Sequence, residues 1–415
     1  MQRRTFLSLT GAAGGLIRFR YAAAALRHRP KVVIVGGGFA GASCALHLRR
    51  VKPAIDVTLV DPASRYVTCP MSNSVLVGLR DFDSIVVQRP GLRRAGIRVV
   101  RDRAVTVDAR QRLVRLAGGS ALSYDRLIMA PGIRFLWQRI QGYTEAAAQL
   151  MPHAWVAGSQ TKILAARLQQ VRDGGVVAIS VPAGPMRCPP GPFERASLIA
   201  GFLQQRKRRC KVLIFDANNR FPKQDVYYAA WAKLYPGMIE WISVLEDGAV
   251  VRVDPAAMTL FTSHGAHRVD VANVIPPQAP AALAVEAGLA SARGWCPVKP
   301  DTFESTLMPD VHVIGDACIA DPMPKAASAA NAQAKVCALA VAASFDGGEP
   351  PAASLESVCY SLLGAGRAIS IHGKFAMVDG VLRQLPVPDA ELSPSEEAAS
   401  AEAWYEGIVA DSFGR

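Results

Sequence analysis

The chain has 415 residues, half of them hydrophobic and a fifth charged, a globular composition long enough for two or three domains with proper cores. The net charge of +13 falls to +7 once Arg3, Arg4, Arg18, Arg20, Arg27 and Arg29 are set aside, which weakens any case for nucleic acid. The short basic cluster Arg206, Lys207, Arg208, Arg209 and Lys211 reads as a solvated loop between a helix and a strand.

Residues 1–30 read as an export signal. Arg3 and Arg4 followed by Thr5, Phe6 and Leu7 resemble the twin-arginine type, which carries folded proteins across a membrane. That route implies a periplasmic protein whose cofactor is inserted before export. Ala22 to Ala25 offer a small-residue cleavage site, although Arg18 and Arg20 interrupt the apolar stretch. No later stretch reaches the ~18 uncharged apolar residues of a membrane span.

Lys31 to Val35 read as a strand buried on both faces. Gly36, Gly38 and Gly41 follow as G-x-G-x-x-G, then a helical run from Ala42 to Arg50, a strand from Val57 to Val60, and Asp61. Strand, glycine turn, helix, strand and acid come in the order of a dinucleotide site. The first glycine makes the turn, the second admits pyrophosphate, and the third lets helix pack on strand. Asp61 is the expected acceptor for the adenosine ribose hydroxyls.

Further along, RYVTCPMSNSVLVGL reads as a loop and helix start carrying Cys69. Strands are expected at Arg98 to Val100, Arg112 to Leu116 and Leu127 to Ala130, the last ending in Pro131 and Gly132; Gly118 and Gly119 mark a hairpin turn. Far downstream, Val311 to Ile314 form a buried strand ending in Gly315 and Asp316, ahead of a helix from about Ser328. Between these halves lies a second α/β unit: strand Val176 to Val181, helix Arg195 to Gln205, strand Val212 to Phe215 and Asp216. Its turn reads PAGPMRCPPGPFE. Gly184 and Gly191 are too far apart for a phosphate turn, and five prolines remove N–H donors. A nicotinamide site is therefore lost here, and Cys188 stands in its place. Asp389 to Glu402 reads as an acidic, mostly irregular stretch before a final helix bearing Trp404 and Tyr405.

The eight cysteines include no C-x-x-C pair and no C-x-x-C-H haem motif, so no metal site and no haem attachment are expected. Cys44 and Cys337 fall in apolar helical runs as small core residues. Cys210, Cys296 and Cys318 read as structural.

The strings VVIVGGGFAGA, YVTCPMSN, YDRLIMAPGI, RCPPGPFERAS, GWCPV, FES, VHVIGDACIADPMPK, CYS and AWYEGIV closely resemble the flavoprotein subunit of flavocytochrome c sulfide dehydrogenase and its Sox-cluster relatives. The resemblance runs from about Lys31 to Phe413. It implies an α/β fold of two Rossmann-like, dinucleotide-binding-type domains of the flavoprotein disulfide reductase type, plus a small C-terminal interface domain. The corresponding division is an FAD domain in two parts (31–153 and 276–348), a degenerate NAD-type domain (154–275), and a flavin-covering C-terminal domain (349–415). FAD would contact Gly36, Gly38, Gly41, Asp61, Gly132, Gly315 and Asp316, with a covalent bond to Cys69. Cys188 and Cys359 would form a redox-active disulfide, Glu194 would serve as an acid/base, and Trp404 would lie against the flavin.

The implied activity is oxidation of sulfide to zero-valent sulfur or polysulfide, with electrons leaving through FAD to a c-type cytochrome on a separate chain. Plainer readings stand beside these roles. Cys69 also reads as a loop cysteine, Cys188 and Cys359 as a structural pair or free thiols, Glu194 as a helix-start charge, and Trp404 as core. The rival functions are a sulfide:quinone reductase and a non-enzymatic flavoprotein partner of a sulfur-oxidising complex.

Overall fold

The structure is a computed structural model that describes residues 29–206, 209–352, 355–388 and 392–415. The expected export signal thus lies outside the described residues, apart from its last two. In chain order the principal elements are β1 (Lys31–Val35), α1 (Phe39–Val51), β2 (Asp56–Val60), α2 (Ser72–Leu76), β3 (Arg98–Val100) and β4 (Arg126–Met129). A second group follows: β5 (Val176–Val181), α3 (Gly191–Arg206), β6 (Lys211–Asp216), β7 (Ile239–Ile242) and β8 (Val271–Val274). The last group is β9 (Val311–Val313), α4 (Ala327–Ser344), β10 (Leu355–Gly364), β11 (Arg367–Val378), β12 (Val381–Leu385) and α5 (Pro394–Phe413).

β1 is hydrophobic at every position after Lys31 because a parallel strand between helical layers is covered on both faces. It pairs Val33 with Thr58 of β2 and with Leu127 of β4. The whole parallel sheet runs β9-β4-β1-β2-β3, so a strand from the distant 311–313 segment closes the sheet begun at Lys31. The intervening chain builds a second parallel sheet in the order β7-β6-β5-β8. β10, β11 and β12 form an antiparallel sheet with α5 packed on it.

α1 and α4 meet through small residues. A Cβ on Gly315 would come within 2.8 Å of the Ala40 Cβ, and Cys44 of α1 and Cys337 of α4 are both fully buried. Asn331 of α4 donates to Ser43 Oγ of α1 at 2.8 Å and to Asp411 Oδ2 and Ser412 Oγ of α5 at 2.9 and 3.0 Å. One buried amide therefore joins three helices.

The fold departs from the sequence reading in two places. Residues 394–402 are helical, where an irregular stretch was expected. Ser393 caps α5 by accepting from Glu396 N while Glu396 bonds back to Ser393 N, with Pro394 as the first helical residue. This capping box and the alanines behind it outweigh the acidic composition. Second, α3 starts at Gly191, four residues before Arg195, because Pro192 suits a first turn whose N–H groups need no helical partner.

Candidate functional site

The carboxyl ends of β1 and β4, the loop before α2, the start of α3, the start of α4 and strand β10 converge on one cavity of about 350 Å³. Every residue expected at the site lines it, with the exception of Gly41. Gly36 adopts φ 101°, in the left-handed region that glycine tolerates. Gly41 lies one turn into α1, where a Cβ would strike the Gly36 carbonyl. It contributes helix-to-turn packing, as its place in the motif predicts. Gly132 (φ 72°) and Gly315 (φ 74°) complete the walls. Bare glycine backbone at a helix N-terminus, with apolar side chains beyond, suits the pyrophosphate and ring system of FAD.

Asp61 lines the cavity and is also engaged within the protein. Its Oδ2 accepts from Gly37 N at 2.6 Å and its Oδ1 from Ala63 N at 2.7 Å. The buried Arg89 guanidinium lies 3.3 Å from each oxygen and also donates to Gly37 O. Most of the carboxylate's acceptor positions are thus engaged within the protein, and these bonds hold the glycine turn in shape. Nothing in the spacing of the motif announced Arg89.

Cys69, Cys188 and Cys359 arrive at the cavity from three distant parts of the chain, all as half-buried free thiols. Cys69 follows the strand Arg65–Val67, and its Sγ lies 3.8 Å from Trp155 O. Arg187, next to Cys188, donates to the same carbonyl and approaches Asp316 Oδ2 at 4.0 Å. Burial pushes the Asp316 carboxyl up, while Arg187 and Lys325 oppose it.

Cys188 holds a positive φ of 53°, a strained conformation for a side-chain-bearing residue. Its N–H bonds Lys325 O at 2.7 Å and its carbonyl accepts Gly191 N at 2.9 Å, fixing the loop against the start of α3. A Cβ on Gly191 would lie 2.8 Å from Trp155 Cη2 and 2.9 Å from Cys188 Sγ. Burial raises the Cys188 thiol, with the Glu194 carboxyl adding to the shift. Burial raises the Cys359 thiol as well, but hydrogen bonds from Ser328 and Ser357 work the other way; Ser328 Oγ stands 3.2 Å from Cys359 Sγ.

Glu194 belongs to the first turn of α3, where a helix favours a carboxylate. Its Oε2 accepts from Asn73 Nδ2 at 2.8 Å and its Oε1 from Leu362 N at 3.1 Å. Burial still dominates and raises its pKa. Beside it, Arg195 is fully enclosed, and burial lowers its guanidinium to about 10. Trp404 also lines the cavity, its ring 5.8 Å from that of Tyr360.

The second α/β unit keeps the shape of a nucleotide domain without its contacts. Gly184 N bonds Asn218 Oδ1, Arg187 N bonds Gln278 Oε1, and the N–H groups of Phe193 and Glu194 bond Pro190 O, so most of the turn's donors are engaged within the protein. Asp216 is completely buried and accepts from Trp241 Nε1 at 3.0 Å and Asn218 Nδ2 at 2.7 Å. Among the described residues, no group of His, Cys, Asp or Glu is arranged to hold a metal ion. None of their helices is long and apolar enough to cross a membrane.

A glycine turn in a split parallel sheet, a second nucleotide-type unit and cysteines at their junction define a flavoprotein oxidoreductase of the disulfide reductase class. Residues 161–276 match the central part of the sulfide dehydrogenase (flavocytochrome c) flavoprotein chain, and residues 351–413 match the flavin-binding part of flavocytochrome c sulphide dehydrogenase. Residues 30–162 match pyridine nucleotide-disulphide oxidoreductases.

A sulfide dehydrogenase flavoprotein chain of Chlorobaculum thiosulfatiphilum is 60% identical over 45 residues, covering 94% of that chain and 11% of this one. The mitochondrial sulfide:quinone oxidoreductase of Mus musculus is 24% identical over 339 residues, covering 80% of this chain and 75% of that one. The sulfide:quinone oxidoreductase structure from Aquifex aeolicus superimposes with a TM-score of 0.74 at 16% identity, covering 93% of both chains. The chain belongs to the flavocytochrome c sulfide dehydrogenase flavoprotein family.

Proposed function

We propose that the chain is an FAD-dependent sulfide dehydrogenase that oxidises sulfide at Cys188 and Cys359 and delivers electrons to a c-type cytochrome on a separate subunit. The observation that carries this reading is the meeting of Cys69, Cys188 and Cys359 in the cavity formed by the glycine turn. FAD, when bound, supplies the two-electron acceptor that can release electrons singly to a haem. Gly36, Gly38, Gly132, Gly315 and Asp316 would hold it, and Cys69 would bind it covalently, preventing its loss outside the cytoplasm. The periplasmic location follows from the twin-arginine start and remains part of the proposal.

In the oxidised protein Cys188 and Cys359 are joined. Hydrosulfide attacks one sulfur, forming a persulfide and releasing the other cysteine as a thiolate. Glu194, which lines the same cavity as both cysteines, takes the proton from an entering hydrogen sulfide molecule as general base. Leu362 N and Asn73 Nδ2 aim its two oxygens. A second sulfide releases the product as zero-valent sulfur or polysulfide. Trp404, which lines the cavity, would lie against the flavin.

Anaerobic absorption titration of the purified protein with sulfide, and separately with NADH, tests the reading. Sulfide bleaches the flavin band in the parent but not in Cys188→Ser, and NADH leaves it unchanged. Reduction by NADH would show that the engaged donors around Gly184 and Pro190 had been misjudged. A second reading, sulfide:quinone reductase, draws on the similarity to the mouse and Aquifex aeolicus proteins. Sulfide-dependent reduction of added cytochrome c supports the first, and a requirement for quinone supports the second. A flavoprotein that responds to neither acceptor has the non-enzymatic partner role.

A further inference from the structure

Arg195 is a buried guanidinium whose hydrogen-bond acceptors are all neutral. It donates from Nε to Asn73 Oδ1 at 3.0 Å, from Nη1 to His153 O at 3.1 Å and Asn273 Oδ1 at 2.7 Å, and from Nη2 to Ala154 O at 2.7 Å. The Trp155 ring lies against it, with 5.0 Å from Cζ to the centroid. Enclosing a cation without direct pairing is costly, so the arrangement calls for a reason.

That reason lies one amide away. A guanidinium only donates, so Asn73 must turn its Oδ1 towards Arg195. Its Nδ2 then has one direction left, and its two hydrogens reach Glu194 Oε2 at 2.8 Å and Gly191 O at 3.2 Å. The amide is fully satisfied, and its flip state is dictated by the cation. The result is a polarised chain from guanidinium through amide to carboxyl. It joins α2, four residues from Cys69, to the helix that carries Glu194.

We infer that Arg195 and Asn73 are positioning residues for the reaction: together they aim Glu194 at the cysteine pair and keep it available as an anionic acceptor. The inference rests on the role of Glu194 proposed above. The other titratable groups facing Glu194 are Cys188 from the loop, Cys359 from β10 and Tyr227 from the helix Gln224–Leu234. Burial keeps all three neutral near neutral pH, so Arg195 is the charge that acts on Glu194. Removing the Asn73 donor withdraws a hydrogen bond to the carboxylate form. Asn73→Asp goes further: an acceptor replaces the donor 2.8 Å from Oε2, and two carboxyls sharing one site raise the affinity of one for a proton.

The test is the pH profile of anaerobic flavin reduction by sulfide in the holoenzyme, compared among parent, Asn73→Ala, Asn73→Asp, Arg195→Lys and Glu194→Gln. Ionisation of sulfide itself is common to all, so differences between variants report the protein. The acid limb is expected to move up by about one pH unit in Asn73→Ala, a roughly tenfold loss of rate on that limb. It moves further in Asn73→Asp. Arg195→Lys, which keeps the charge but loses the fork, shifts it in the same direction.

Should Arg195→Lys fail to fold, the two Asn73 variants decide, since Asn73→Asp retains an acceptor for Arg195. Unmoved limbs in both Asn73 variants, with the limb abolished in Glu194→Gln, overturn the inference. A limb that survives Glu194→Gln overturns instead the role of Glu194 on which the inference stands.

Discussion

Cys188 and Cys359 keep different company, and the difference is measurable once the pair is reduced. Ser328 Oγ lies 3.2 Å from Cys359 Sγ and 2.9 Å from Ser357 Oγ, so two hydroxyls can be drawn into line behind a thiolate. Ser357 and Cys359 are two apart on β10 and share a face. Among the described residues no hydroxyl is hydrogen-bonded to the Cys188 thiol, which burial and the Glu194 carboxyl push up while Arg187 opposes them. In the reduced protein Cys359 should therefore alkylate faster than Cys188 at a given pH, since the thiolate is the reacting form.

Ser328→Ala should slow Cys359 about tenfold, the worth of one hydrogen bond to a charged group, without slowing Cys188. Peptide mapping after timed iodoacetamide treatment reads both, and equal slowing of the two would defeat the argument. Gly191 makes a second residue-level case. Alanine is the better helix former by about 1 kcal/mol, yet its Cβ would press on Trp155 and Cys188 at 2.8 and 2.9 Å. Overpacking of this kind costs about 1–3 kcal/mol, so Gly191→Ala should unfold at lower denaturant concentration than the parent. A gain in stability would show that the loop yields.

At the scale of elements, the C-terminal helix is tied to the cofactor side of the molecule by a few polar contacts. Tyr405 OH of α5 and Thr68 Oγ1, one residue before Cys69, are 2.8 Å apart, and Thr68 Oγ1 also donates to Pro70 O at 3.1 Å. Phe413, Phe39 and Tyr66 pack edge to face or tilted nearby, with centroids 5.2 to 5.8 Å apart. Thr68→Val keeps the shape and removes both bonds, so the loop carrying Cys69 should lose its anchor while the fold survives. On the proposed covalent bond between Cys69 and FAD, the fraction of FAD that stays with the chain after acid denaturation should fall in Thr68→Val. If that fraction is unchanged, α5 does not support the proposed attachment.

How much of this was legible in the sequence follows from the reach of each signal. β1, Gly36, Gly38, the strands of the first sheet and β5 and β6 of the second were readable because periodicity and glycine turns act over a few residues, whereas β7 and β8 were not read. The meeting of Cys69, Cys188 and Cys359 came from rare strings, not from spacing. Arg89, Asn73, Arg195 and Ser328 were not legible. Each acts on a partner that only the fold brings close; the Arg195–Asn73 bond spans 122 positions. The helical start of α5 had a local signal, Ser393-Pro394 with Glu396, which the acidic composition obscured.

For the molecule as a whole, two buried histidines make stability depend on pH. His153 lies in the segment entering the second α/β unit and His312 in β9 of the first sheet; both are nearly inaccessible. Burial lowers His153 to about 3, with Arg195 and Arg187 pushing the same way, and lowers His312 to about 4. Either group is neutral in the folded chain at a pH where the unfolded chain, near 6.5, already binds a proton. The unfolded state therefore holds more protons between pH 6.5 and the folded values, and stability rises with pH across that window. It is lost on acidification from about 6.5 downwards. Each histidine contributes a slope of at most about 1.4 kcal/mol per pH unit.

Asp216, Glu194 and Asp316, raised by burial, work in the opposite sense, because the folded state holds their protons more tightly. The contribution of one histidine is best isolated by difference. His153 Nδ1 accepts from Trp155 N at 2.9 Å, and an asparagine Oδ1 can occupy that acceptor position without binding a proton. Urea unfolding of parent and His153→Asn at a series of pH values between 4 and 6.5 should give curves that converge towards acid. The parent loses the increment of about one proton per molecule that the variant lacks. Parallel curves would mean that His153 is protonated in the folded chain, so that Arg195, whose guanidinium bonds the His153 carbonyl, does not set the charge of its surroundings.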